Sequence, residues 1–148
     1  MAAIDVLISL IKEFEGCKLQ AYKCPAGVWT VGWGATGPDI KEGTVWSQQY
    51  ADAMLRKMAN NVLDEALHES PRLRNETPGR QAAVADFIYN CGIGNYRKST
   101  FKRMIDAGDF GEAKHAVMMW VKATDPKTGK KVTLPGLVRR RQAEADLL

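Results

Sequence analysis

The chain has 148 residues, 45% of them hydrophobic and 26% charged. That length suits one globular domain burying about 70% of its unfolded surface, and the composition excludes disordered, collagen-like and disulfide-scaffold classes. Its 21 basic and 17 acidic residues leave a net charge of +4, which favours an anionic partner such as nucleic acid, a membrane surface or an acidic wall polymer without choosing among them.

Ile4, Leu7, Ile8, Ile11 and Phe14 recur at helical spacing and predict a first amphipathic helix that stops at Gly16, with Glu15 in its last turn. Leu19 to Tyr22 and Val28 to Val31 flank the turn Cys24-Pro25-Ala26-Gly27, the pattern of a small antiparallel hairpin. Gly32, Gly34, Gly37 and Pro38 then mark an irregular loop. Ser47 is the expected N-cap of a long helix over about 47–69, with Tyr50, Met54, Met58 and Val62 down one face. Thr77-Pro78 opens the next helix, which turns Val84, Phe87, Ile88 and Cys91 inward and ends around Asn90, Gly92 and Gly94. Ser99 caps a short helix that stops at Gly108. Asp109 with Glu112 resembles a capping box for a helix carrying Ala113, Ala116, Val117 and Trp120. Asp125 to Lys130 is turn-rich, and Gly136 to Leu148 reads as a final basic helix.

Few of the chemical motifs stand up by themselves. His68 and His115 lie on different helices with no acidic or cysteine partner at ligand spacing, so neither a metal site nor a cofactor is expected. Gly32-Trp33-Gly34 follows a strand but leads into Gly37-Pro38 rather than a helix, which disqualifies it as a phosphate cradle. The Arg139-Arg140-Arg141 run reads as the solvated face of the last helix and is the only hint of nucleic-acid binding. No apolar run approaches the roughly 20 residues of a membrane span, and no export signal is legible, so stable membrane insertion is not expected. Three cysteines, Cys17, Cys24 and Cys91, point to a reducing compartment. The informative stretch runs from Glu15 to Thr30, where an acid at a helix end is followed by a hairpin that can face it across a cleft. A lone glutamate in such a place is more often a solvated surface charge.

That stretch resembles the signature of the phage-type lysozymes, the muramidases of glycoside hydrolase family 24. The signature is a Glu-Gly pair, a Tyr, an acidic residue nine positions after the Glu, a Gly and then Thr-x-Gly-x-Gly. The sequence gives Glu15-Gly16, Tyr22, Cys24, Gly27 and Thr30-Val31-Gly32-Trp33-Gly34. The similarity continues through Phe87 to Gly94, Ser99-Thr100, Gly108-Asp109, Trp120-Val121 and Pro135 to Arg140, so nearly the whole chain is covered. The resemblance implies an α+β, mostly helical, lysozyme-like fold in one domain over 1–148. A small N-terminal lobe (about 1–46) with a β-hairpin would be joined by the long helix (about 47–69) to a helical lobe (about 71–148).

The same resemblance implies an endolysin that hydrolyses the β-1,4 bond between N-acetylmuramic acid and N-acetylglucosamine in bacterial peptidoglycan. Glu15 would be the general acid, kept protonated by burial at the cleft edge and a neighbouring negative charge, and Thr30 would hold the attacking water. Cys24 stands where much of the family has aspartate. A thiol ionises near 8.5, and a nearby Glu15 carboxylate would raise it further. Ala35 stands where many relatives have histidine. Tyr89, Asn90 and Thr100 would line the sugar-binding wall. The protein would act as a monomer without nucleic acid and wait in the host cytoplasm for release by a separate holin. The alternatives are a lytic transglycosylase cutting the same bond, or an inactive wall-binding or nucleic-acid-binding helical module. Cys17 and Cys24 flank the first strand, and a regulatory disulfide requires their Cα atoms within about 7 Å.

Overall fold

The computed structural model describes all of residues 1–148. The first helix, α1 (Ala3–Phe14), ends one residue before Glu15, which adopts an extended backbone (φ −97°, ψ 131°) while its N–H still donates to the Ile11 carbonyl. Glu15 is therefore not in a helical turn: it caps α1 and leaves the helix direction. Leu7, Leu10 and Ile11 are the residues α1 buries.

The expected hairpin forms as β1 (Lys18–Lys23) and β2 (Trp29–Gly32), paired antiparallel with Tyr22 opposite Thr30 and Lys23 opposite Trp29. Its loop is closed by the Cys24 N–H on the Val28 carbonyl and by the Gly27 N–H on the Cys24 carbonyl. Gly27 sits at φ +81°, the left-handed conformation that a three-residue hairpin loop demands of its last position. On its other side β1 pairs with the segment ahead of the long helix, through Ala21 N–H to Thr44 O and Trp46 N–H to Leu19 O.

The long helix α2 (Gln48–Glu69) is capped by Ser47, whose Oγ accepts from the Tyr50 N–H. Its buried residues are Ala51, Leu55, Ala59 and Ala66. This corrects the expected face: α2 packs on α3 (Pro78–Cys91), and small residues at that contact let the two backbones approach. Tyr50, Met54 and Met58 are left to one side. After a 3-10 turn over Pro71–Asn75, α3 opens with Thr77 accepting from the Arg80 N–H and Pro78 in the first turn. It is buried continuously from Ala82 to Ile88, as befits a central helix wrapped on all sides.

Around it lie α4 (Ile93–Arg97), α5 (Thr100–Ala107) and α6 (Phe110–Val117). Ser99 caps α5 as expected. Asp109 caps α6 through the Glu112 N–H, but its own N–H bonds the Met104 carbonyl, so only half of a capping box is made. Trp120 falls beyond α6 and meets Phe87 edge-on with ring centroids 5.5 Å apart. The turn-rich segment proves to be a second hairpin, β3 (Lys122–Thr124) with β4 (Lys131–Thr133), before the last helix α7 (Pro135–Asp146). One hydrophobic core unites α1, α2, α3, α5, α6 and α7, so α1 packs with the helices and not with the hairpin that follows it in sequence.

Candidate active site

The end of α1 delivers Glu15 to the wall of a cavity of about 940 Å³, which continues past Asn90 and along the start of α7. Its carboxylate lies over Gly34, where an added Cβ would sit 3.6 Å from all three carboxyl atoms. Gly34 is at φ +96°, so the loop needs glycine there for its backbone, and the acid rests in the space thus left open. Across from it, Arg140 Nη1 donates to Glu15 Oε2 at 3.1 Å. The neighbour at hydrogen-bond distance is thus a guanidinium and not the expected anion.

Arg140 and Arg141 are 3% and 0% exposed, so of the arginine run only Arg139 has the solvated place expected for all three. Arg140 is forked onto fully buried Asp86, with Nε to Oδ2 at 2.9 Å and Nη2 to Oδ1 at 2.8 Å. Arg141 is forked onto Glu144 at 2.7 and 2.8 Å and also reaches the Cys91 sulfur at 2.9 Å. Burial opposes the charge on Asp86, but hydrogen bonds from Glu144 and Arg140 hold its carboxyl below the usual range. Glu144 is pushed well up by burial and by the Asp86 carboxylate facing it. Each of the two buried carboxyls is thus forked by its own guanidinium, which offsets the cost of taking it out of water. Burial keeps Arg140 and Arg141 from reaching a nucleic acid, while Arg139 stays exposed.

Cys24 stands at the tip of the first hairpin. The Val28 backbone N–H is the largest influence on it and lowers its thiol below the usual value, with smaller help from Ala26, the Thr30 hydroxyl and Gly27 against a partial burial penalty. Glu15 is not among the influences on this thiol, so the expected rise is absent. Thr30, 5% exposed, donates to the Val28 carbonyl at 3.0 Å from a position beside that sulfur. Tyr22 is raised by burial, then by the charges of Glu15 and Cys24, which places its ring within electrostatic reach of both.

Tyr89 lines a second cavity of about 320 Å³ with Gly34, Thr36 and Asn61, and its hydroxyl donates to the Trp33 carbonyl at 2.6 Å. Burial, then Glu15, pushes its phenol up. Asn90 lines the Glu15 cavity. Thr100 lines neither cavity and accepts from Arg103 Nη2 at 2.8 Å in the first turn of α5. Ala35 is buried in a pair of mutual backbone bonds with Val31 at 2.8 and 2.9 Å, a place for a small side chain.

The three thiols are free. Cys17 immediately precedes the six-residue strand β1 and Cys24 immediately follows it. At about 3.3 Å per residue that puts them on the order of 20 Å apart, far beyond disulfide reach. Cys17 instead faces the side chain of Gln48 at 3.7 Å.

Asp86 was not singled out in the sequence, and Arg140 was named only within the arginine run and the family pattern, not as a partner of the acid. One sign was present: a lone aspartate within Ala82-Ala83-Val84-Ala85-Asp86-Phe87-Ile88 has to be paired if that helix is central.

A mostly helical body that holds a carboxylic acid between a small hairpin and its C-terminal helix, at the edge of a long cleft, is the lysozyme-like class of architecture. The chain belongs to the phage lysozyme family, whose description matches residues 12–144. It is 37% identical over 138 residues to an endolysin of Acyrthosiphon pisum secondary endosymbiont phage 1, covering 93% of this chain and 91% of that one. Two solved structures superpose with a TM-score of 0.81. The endolysin from Escherichia coli O157:H7 phage FAHEc1 is 31% identical, with 99% of this chain and 92% of that one covered. The muramidase domain of SpmX from Asticaccaulis excentricus is 32% identical, with 95% and 92% covered.

Proposed function

We propose that this phage-type lysozyme is an endolysin hydrolysing the β-1,4 bond between N-acetylmuramic acid and N-acetylglucosamine in peptidoglycan, with Glu15 as general acid and Cys24 as the base for water. The observation that carries the assignment is Glu15 itself: a carboxyl led out of α1 onto a bare glycine, oriented by a buried arginine and open to a cavity of about 940 Å³. Glu15 passes its proton to the leaving oxygen, and Arg140 then faces the carboxylate so formed. Water adds to the anomeric carbon and gives its proton to the Cys24 thiolate, whose formation the turn N–H groups favour. Thr30 holds that sulfur and its water in place. Tyr89 and Asn90 belong to the sugar-facing wall. Thr100, placed by resemblance, has no cleft contact to support it.

Turbidity loss on permeabilised bacteria tests the reading. Glu15→Gln keeps the shape of the acid but carries no transferable proton, so lysis should fall below a tenth of wild type with an unchanged melting curve. Thr30→Ala should lose activity less completely. Anhydro-muramic ends in the digested wall would identify a transglycosylase and overturn hydrolysis. Product anomers should show inversion, and a trapped thioglycoside at Cys24 would overturn that outcome. The enzyme accumulates in the host cytoplasm until a holin releases it, and its appearance outside the cytoplasm before lysis would contradict this.

A further inference from the structure

We propose that Asp86 is a positioning residue for the acid: it takes one edge of the Arg140 guanidinium, fixes the remaining edge against Glu15, and presents Arg140 to the acid as half of a neutral pair; this rests on the hydrolase reading above. Arg140 Nε and Nη2 are forked onto Asp86 at 2.9 and 2.8 Å, which leaves Nη1 to meet Glu15 Oε2 at 3.1 Å. A guanidinium is planar and rigid, so holding two of its nitrogens sets the place of the third. Its central carbon also lies over the Phe14 ring, 5.7 Å from the centroid, and Phe14 is the residue before the acid.

The place of Asp86 in α3 suits it to this task. It sits inside the continuously buried run from Ala82 to Ile88, whereas the Glu15 side chain is 27% exposed. Tyr89 and Asn90 follow it by three and four residues, so α3 presents all three on one side; Tyr89 lines the cavity over Gly34, and Asn90 that of Glu15. A general acid has to carry its proton when substrate arrives, and an unbalanced cation at hydrogen-bond distance favours the carboxylate instead. Asp86 supplies the opposite charge, so Arg140 meets Glu15 as a hydrogen-bond donor more than as a free charge. Glu144 offers the comparison within the same helical body. It is forked by Arg141 in the same way, but the remaining contacts of that guanidinium are Cys91 and the Trp120 carbonyl, not the acid.

The test is the rate at which the full chain releases reducing ends from soluble peptidoglycan strands, with each variant assayed well below its melting midpoint. Asp86→Asn keeps the shape and one acceptor oxygen but sets an NH2 against a guanidinium donor, so kcat should fall about tenfold while KM stays within about twofold. Asp86→Glu restores the carboxylate and should retain more kcat than Asp86→Asn, although its extra methylene strains the packed helix more. A merely structural aspartate would give the reverse order. Added to Arg140→Met, Asp86→Asn should cause no further loss of kcat, since the group it acts through is gone. Glu144→Gln disturbs the comparable buried pair and should lower the melting midpoint with kcat within about twofold of wild type. The inference is overturned by an unchanged kcat in Asp86→Asn, by equal kcat losses in Asp86→Asn and Glu144→Gln, or by losses that add fully in the double variant. Absence of reducing ends from wild type would overturn the hydrolase reading instead.

Discussion

At the scale of single residues, the site depends on which neighbours each ionisable group has. Cys24 stands where the family signature expects an acid, and the Val28 backbone N–H above all draws its thiol below the usual value. A base must be deprotonated to act, so activity should rise with pH as that thiol ionises. Cys24→Asp, whose carboxyl ionises near 3.9, should move the rise to lower pH and stay active. Cys24→Ser has no accessible anion and should lose most activity at every pH, as turbidity assays across pH 4 to 9 would reveal. Arg140 carries a structural duty as well. In Arg140→Met the buried Asp86 loses its fork, and the expected cost is about 3–5 kcal/mol in urea unfolding at neutral pH. Asp86 is held below the usual carboxylate range in the folded state. Its contribution is therefore complete above the unfolded value near 3.9 and fades as pH falls through the lower folded value. The gap between variant and wild type should accordingly narrow below about pH 4, and a gap independent of pH would show that Asp86 is not the group left unpaired.

At the scale of elements, caps and turns were legible because they are local: Ser47, Thr77, Ser99 and Asp109 each accept a backbone N–H from three residues on. The hairpin was legible from the same kind of signal. What could not be read locally was which face of a helix meets another. The large apolar residues of α2 suggested one stripe, but the helix buries alanines because α3 lies close against them. Likewise Arg140 looked solvated because its partners Asp86 and Glu15 are 54 and 125 residues away in sequence. Glu15 and Cys24 could be named only through a resemblance to a known signature, for no spacing rule distinguishes them from ordinary surface groups. One contact between elements was wholly hidden: the Tyr89 hydroxyl on α3 holds the Trp33 carbonyl, and the Trp33 indole donates to Asp52 on α2 at 2.8 Å. This double tether fixes the loop whose next residue, Gly34, underlies the acid. Tyr89→Phe removes only the hydroxyl and leaves the Trp33 carbonyl without that partner. It should lower kcat several-fold through misplacement of the loop and cost about 1 kcal/mol of stability. An unchanged kcat with a raised KM would instead assign Tyr89 to sugar binding alone.

At the scale of the whole molecule, the separation of core from charge decides how the enzyme meets its wall. Phe87, Tyr96, Phe101 and Trp120 form an edge-to-face aromatic group inside the helical body, while much of the free positive charge collects elsewhere. With Arg140 and Arg141 paired internally, the second hairpin becomes a prominent source of that charge: Lys122, Lys127, Lys130 and Lys131 are exposed there, with Asp125 the one acidic residue between β3 and β4. The hairpin is joined to the cleft through Leu134, whose N–H bonds the Val121 carbonyl and whose side chain lines the Glu15 cavity. Peptidoglycan stems carry carboxylates, so these lysines should draw the enzyme to the wall without taking part in chemistry. Replacing both Lys130 and Lys131 with glutamate takes the net charge from +4 to zero and reverses the sign at the hairpin tip. At about 10 mM salt, where the screening length is near 30 Å, lysis should slow several-fold. At about 1 M salt, where it is near 3 Å, the variant and wild type should lyse at the same rate. A defect that persisted in high salt would place these lysines in direct contact with substrate instead of in long-range attraction.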